Sequence, residues 1–313
     1  MIIYCITLFI WISVNIFADK PVYAEQSEIL TRSPQICTAE TTTLVSETST
    51  ETTTQGFDIS IPAYLENYVI GAVAAEMPVY FENEALKAQA VACRTYACRE
   101  YFNNKNTDLK SIGQAYFSKD ELKKRWGDDT EKNYEKIEKA VTDTRGELML
   151  YQNQPILAAF CSASGGMTED SGNLWGTSLP YLRPVNSEYD KNAPVYMQNI
   201  NISLQRLAAA LGVNDASDIS IEKRSASGYV LSVKAGGREF SGDDIRRLLG
   251  LRSSDFYIEI NGDTAYFTAH GYGHGIGMSQ YGAEFMARDG MDYKKILLHY
   301  YTGVSIKAAR IEN

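Results

Sequence analysis

The sequence predicts an α+β fold: one mixed domain of helices packed on short, mostly antiparallel strands, preceded by a leader and a disordered linker. Three observations carry this expectation. Apolar residues recur at helical spacing in some stretches and form short blocks bounded by turn residues in others. These two kinds of segment do not alternate regularly, which argues against a doubly wound parallel sheet. Beyond residue 57 no polar linker interrupts the chain, and the 44% hydrophobic content over 313 residues is ample for a sizeable core.

The leader is residues 1–24. From Ile2 to Ala18 only Thr7, Ser13 and Asn15 are polar, a length at the short end of the roughly 17–25 residues that span a bilayer. Val22-Tyr23-Ala24 offers a signal-peptidase site. No basic residue precedes Asp19, so signal peptide and membrane anchor both stand. Residues 25–56 follow, with Thr41-Thr42-Thr43 and Thr52-Thr53-Thr54 in a run of Ser, Thr and Glu. So little apolar surface cannot offset the entropy of ordering the chain, and a flexible stalk is expected. The folded domain, 57–313, is therefore expected outside the cytoplasmic membrane, anchored or secreted.

Within that domain, 64–77 is apolar and ends at Met77-Pro78. Proline disfavours helix at the residue before it, which puts Glu76 at an element end or in a turn. A long helix is expected over 82–101, with Leu86, Ala90, Cys93 and Ala97 on one stripe, Lys87 and Arg94 on one border and Gln89 and Tyr96 on the other. Helices follow at 120–126 and 133–144. Strands at 147–151 and 156–161 are joined across Gln152-Asn153-Gln154, and 162–166 is a Gly/Ser turn. A short helix at 204–211 precedes a hairpin, 229–234 with 239–241, around Gly236-Gly237. A helix at 244–249, a strand pair at 257–260 and 265–269, a glycine-rich stretch 271–277 leading to a helix that ends at Gly290, and a last helix at 293–301 complete the chain.

The net charge of −9 argues against a nucleic-acid partner, because that affinity comes largely from Lys and Arg. Of five cysteines only Cys93, Cys98 and Cys161 lie in the domain. Cys93 and Cys98 stand about 140° apart around a helix axis, which makes them poor disulfide partners.

Three places could carry chemistry. Glu76 lies between Ala74, Ala75 and Met77, apolar neighbours that would raise its pKa and suit a general acid for glycosidic cleavage; an acid at an element end is more often simply solvated. Gly271-Tyr272-Gly273-His274-Gly275-Ile276-Gly277 allows close backbone approach to a ligand. It lacks the Lys-Ser/Thr end of a P-loop, and His270 and His274 sit in a loop with no HExxH helix. Cys161, with His274 as base, could be a thiol nucleophile, although a buried cysteine at a strand end is the commoner arrangement.

Taken together these segments resemble a known family. Val69-Ile70-Gly71-Ala72-Val73-Ala74-Ala75-Glu76-Met77-Pro78 followed by Glu84-Ala85-Leu86-Lys87-Ala88-Gln89-Ala90-Val91-Ala92-Cys93-Arg94-Thr95-Tyr96 is similar to the opening motif of stage II sporulation protein D (SpoIID) and the related amidase enhancer LytB. Ser164-Gly165-Gly166-Met167-Thr168-Glu169 with Pro180-Tyr181-Leu182 resembles the middle motif. The glycine stretch through Ser279-Gln280-Tyr281-Gly282-Ala283, with His299-Tyr300-Tyr301, resembles the last. The resemblance implies a lytic transglycosylase that cuts peptidoglycan between N-acetylmuramic acid and N-acetylglucosamine with 1,6-anhydro ring formation, using the single acid Glu76. It implies substrate contacts from Gln89, Arg94, Ser164, Tyr189, His274, Ser279 and Gln280. It also implies glycan strands stripped of stem peptides as substrate, with a SpoIIP-like amidase and a SpoIIM-like membrane protein as partners. Some relatives hold zinc after the first long helix; residues 111–116 here contain neither Cys nor His, so no metal or other cofactor is expected. Relatives usually carry His where Cys161 stands. A non-catalytic wall-binding enhancer of an N-acetylmuramoyl-L-alanine amidase is the alternative.

Overall fold

Two helices buried on nearly every side organise the molecule. The computed structural model describes residues 59–103, 109 and 112–312; the expected leader (1–24) and linker (25–56) lie outside the described residues. No helix among the described residues is long and apolar enough to cross a membrane. In chain order, β1 (Ser60–Pro62) and α1 (Ala63–Glu76) lead to α2 (Asn83–Asn103), α3 (Lys119–Trp126) and α4 (Thr130–Asp143). Next come β2 (Glu147–Tyr151), β3 (Gln154–Pro155), β4 (Phe160–Cys161) and α5 (Ser171–Trp175). A lobe follows, made of β5 (Met197–Ser203), α6 (Leu204–Leu211), β6 (Ser220–Arg224), β7 (Val230–Ala235), β8 (Arg238–Phe240), α7 (Gly242–Leu249), β9 (Phe256–Asn261) and β10 (Thr264–His270). The chain closes with β11 (Met278–Ser279), α8 (Gln280–Arg288), α9 (Tyr293–Tyr300), β12 (Ser305–Ala308) and β13 (Arg310–Glu312). The fold is α+β.

α1 ends at Glu76 because Met77, ahead of Pro78, is extended (φ −127°, ψ 138°). On α2 the expected stripe of Leu86, Ala90, Cys93 and Ala97 is buried, but so are Gln89 and Arg94 on its borders. The reason is side-chain size. Ala85, Ala88, Ala90, Ala92 and Ala97 leave room for α1, α4, α8, α9 and β2 to close in from several directions. A helix with neighbours on all sides is buried on all sides.

The strands form three antiparallel triplets, β12–β2–β3, β5–β10–β9 and β6–β7–β8, and two parallel pairs, β1–β13 and β4–β11. The turn between β2 and β3 places Gln152 and Asn153 at φ 51° and 59°, the left-handed pair that matches strand twist in a two-residue hairpin. Of the second strand expected over 156–161 only Phe160–Cys161 is strand, and the residues that pair with β2 lie just ahead of it, one of them in the expected turn. Gln154–Pro155 pairs with β2, whereas Phe160–Cys161 departs to pair in parallel with Met278–Ser279. An apolar run signals extended backbone but does not name its partner. Strands β1, β5, β6, β12 and β13 and the short helix α5 carried too little periodicity to be expected.

Apolar residues gather in two clusters. The larger holds α1, α2 and the elements around them. The smaller, with Leu207, Val233, Phe240, Ile245, Phe256 and Phe267 at its centre, lies wholly within the lobe of β5 to β10. Polar contacts join lobe and body: Gly273 N–H to Arg252 O (2.9 Å) and Gly165 N–H to the Tyr229 hydroxyl (3.2 Å).

Candidate active site at Glu76

Glu76 is the last residue of α1, and only 5% of it is exposed. Its Oε1 accepts one hydrogen bond, from the Ala115 N–H (3.2 Å). Burial raises its pKa to about 7, opposed by that N–H. Desolvation disfavours the charged form, and a single donor to the carboxylate does not restore it. No second carboxyl among the described residues contributes to the shift. The groups within electrostatic reach are Tyr68 of α1 and Cys93 and Tyr96 of α2, all raised chiefly by burial, Tyr96 to about 12. Near neutral pH Glu76 is therefore an acid poised between its two states among uncharged neighbours.

One predicted residue holds the backbone of this acid and a second braces the first. Gln280, at the start of α8, donates from Nε2 to the Glu76 carbonyl (2.9 Å) and to Gln89 Oε1 (3.2 Å). Gln89 in turn donates to Cys93 Sγ (3.3 Å). Three segments separated by up to about two hundred residues thus meet at one side-chain amide, that of Gln280. Glu284, one turn further along α8 and buried, accepts from the Glu82 N–H (2.6 Å) and from Arg288 Nε (2.7 Å), fixing the entry into α2.

The other predicted residues occupy different networks. Arg94 is fully buried and makes a two-pronged ion pair with Glu66 (Nε 2.9 Å, Nη2 2.8 Å), adding the Val141 carbonyl at 3.0 Å. It pins α2 to α1 and α4 and has no face open to a glycan. Ser164 and Ser279 are also fully buried. Both meet at Asp190, which accepts from Ser164 N–H (2.7 Å), Ser164 Oγ (2.6 Å) and Ser279 Oγ (2.6 Å). Burial raises Asp190 and these hydrogen bonds oppose the shift. Tyr189 is half-buried, and its hydroxyl is taken by Asp289.

His274 accepts the Ile276 N–H on Nδ1 (3.0 Å), is bonded to the Phe160 backbone, and meets the Trp175 ring edge-on at 5.3 Å. Burial first, then Arg246, lowers its pKa to about 4, so it is neutral and committed. Cys161 is a free thiol, raised by burial above all. A thiol held protonated is not a nucleophile, and His274 has no ring nitrogen left to activate it. The glycine stretch serves packing here: at Gly277 (φ +78°) a Cβ would sit 1.9 Å from the Ala159 carbonyl oxygen, so only glycine lets β11 lie against β4.

Sequence reasoning missed Ala115, whose backbone N–H has no side-chain signal, and Asp190, in a short 3₁₀ turn that also carries Glu188. It missed Gln114 as well, which accepts from the Tyr68 hydroxyl (3.2 Å).

The buried acid Glu76 lies where α1, α2 and α8 converge, and comparison with known sequences identifies the family. The pattern of the Stage II sporulation protein family (SpoIID) matches residues 53–151. Stage II sporulation protein D of Bacillus amyloliquefaciens is 40% identical over 92% of this chain and 90% of its own length. That of Bacillus subtilis (strain 168) is 40% identical over 80% of each. An amidase enhancer of Bacillus subtilis (strain 168) is 29% identical over 75% of this chain and 40% of its own length. The chain belongs to the stage II sporulation protein D family.

Proposed function

We propose that the protein is a lytic transglycosylase of peptidoglycan glycan strands, acting outside the cytoplasmic membrane during sporulation, with Glu76 as its one catalytic acid and base. The observation that carries this reading is the buried carboxyl raised to about 7, with one backbone donor and, among the described residues, no second carboxyl contributing to the shift. Hydrolytic glycosidases commonly use two carboxyls, one of them to activate water or to attack the sugar. A transglycosylase can work with one. The Glu76 O–H protonates the glycosidic oxygen as the C1–O bond breaks. The resulting carboxylate then takes the proton of the C6 hydroxyl as O6 bonds to C1, which closes the anhydro ring and returns Glu76 to its starting state. A pKa near 7 suits both halves of the cycle.

The test is to incubate the full-length protein with glycan strands stripped of stem peptides and to look for 1,6-anhydromuramic ends by mass spectrometry. Wild type is expected to produce them, and Glu76→Gln to lose on the order of 10²–10⁴ in rate, the usual contribution of a general acid. No anhydro product from wild type, or an undiminished yield from the variant, refutes the reading. The amidase-enhancer relative favours a second reading, a non-catalytic module that binds the wall and raises the activity of a partner amidase. That reading predicts no new glycan ends and a faster release of stem peptides when an amidase is added.

A further inference from the structure

Residues 112–117 cross α1 directly over Glu76, and four contacts hold them there. The Phe117 N–H donates to the Gly71 carbonyl (3.1 Å). The Tyr116 ring stacks on Tyr68 at 5.2 Å and 3°. The Tyr68 hydroxyl donates to Gln114 Oε1 (3.2 Å), and the Tyr96 hydroxyl donates to the Ile112 carbonyl (2.9 Å). Between these anchors Ala115 presents its N–H to the Glu76 carboxyl. Gly71 permits the crossing: a Cβ there would lie 2.4 Å from the Tyr116 ring and 2.5 Å from the Phe117 carbonyl oxygen. The Gln114 Nε2 is buried with no partner, a cost that marks a segment held by more than its own hydrogen bonding.

We propose that residues 112–117 are a positioning strap, fastened to α1 through Gly71 and Tyr68 and to α2 through Tyr96, that keeps water from the Glu76 carboxyl and fixes its orientation. The proposal rests on Glu76 as the proton donor and identifies what sets that donor. Two effects oppose each other when the strap lifts. Loss of the Ala115 N–H raises the pKa, and entry of water lowers it. The groups facing Glu76 are Tyr68 on α1, Cys93 and Tyr96 on α2 and the Ala115 N–H on the strap, with the Gln280 amide of α8 on its backbone carbonyl. None is charged at neutral pH, so burial is the larger effect and the net change is a fall.

Gly71→Ala lifts the strap by its clash, while Tyr68→Phe removes one anchor and keeps the ring stack. The Glu76 titration is read by ¹³C NMR in full-length protein labelled at the glutamate carboxyl, with circular dichroism to show that each variant is folded. The midpoint is expected to fall by roughly one pH unit or more in Gly71→Ala and by less in Tyr68→Phe, as desolvation is relieved. The falling alkaline limb of anhydro-end production moves with it. A midpoint unchanged in both folded variants overturns the strap, because a merely structural segment would lower the rate at every pH without moving the titration. If Gly71→Ala does not fold, Tyr68→Phe combined with Gln114→Leu makes the same decision. A midpoint that moves in a protein yielding no anhydro ends supports the strap and refutes the transglycosylase, so the two failures are distinct.

Discussion

Replacing Glu76 by glutamine should make the protein more stable at neutral pH while abolishing its proposed chemistry. In the folded state the carboxyl titrates at about 7 instead of 4.5. Below pH 4.5 folded and unfolded chains both hold the proton, and Glu76 costs nothing. Between 4.5 and 7 the unfolded chain releases the proton and the folded chain keeps it, so stability falls with rising pH. Above 7 the whole penalty is in place, about 3 kcal/mol for a shift of that size. Glutamine cannot ionise, and its carbonyl can still accept from Ala115. Its extra amide N–H₂ carries a cost of its own, but one that does not vary with pH. The measurement is therefore urea unfolding of both proteins between pH about 4 and about 8. The stability of Glu76→Gln relative to wild type should rise by about 3 kcal/mol across that window and level off above 7. A difference independent of pH would refute the argument that burial holds this acid near neutrality.

Three further outcomes follow from the other networks. Arg94→Leu leaves the half-buried Glu66 without its ion-pair partner, with only the Gly146 N–H still donating to it, and should cost about 3 kcal/mol in unfolding free energy; Arg94→Lys should recover little, because an ammonium cannot make the two-pronged contact. Asp190→Ala leaves the Ser164 N–H and hydroxyl buried without an acceptor and the Ser279 hydroxyl with only the Ser162 carbonyl, at 3.4 Å. It should lower stability by about 2–3 kcal/mol on denaturant titration even though none of these groups touches Glu76. Cys161→Ala should keep glycan cleavage within a few-fold of wild type, and native Cys161 should resist iodoacetamide until the protein is unfolded, since the thiol is buried and protonated.

Local signals were legible where the chain dictates its own conformation. Pro78 ended α1 at Glu76, the Leu86, Ala90, Cys93 and Ala97 stripe marked α2, and Gly236-Gly237 marked the β7–β8 turn, where both residues have positive φ. The apolar neighbours of Glu76 foretold the direction of its shift. Partners were not legible. Nothing in Phe160–Cys161 says that it will pair with Met278–Ser279, and nothing in Ser164 and Ser279 says that both will turn to Asp190 instead of outward. The same polar residue types serve a sugar or a buried network, and only their neighbours decide which.

The amino-acid sequence by itself determined the acid, the end of the helix that carries it and the small residues that let other elements approach. These depend on φ/ψ preference and side-chain volume, which each residue brings with it. The tertiary structure alone decided that Gln280 reaches both the Glu76 carbonyl and Gln89, that Ala115 reaches the Glu76 carboxyl, and that Arg94 pairs with Glu66. Burial and hydrogen-bond partners are properties of what packs nearby. They come into being only when segments far apart in the chain are brought together.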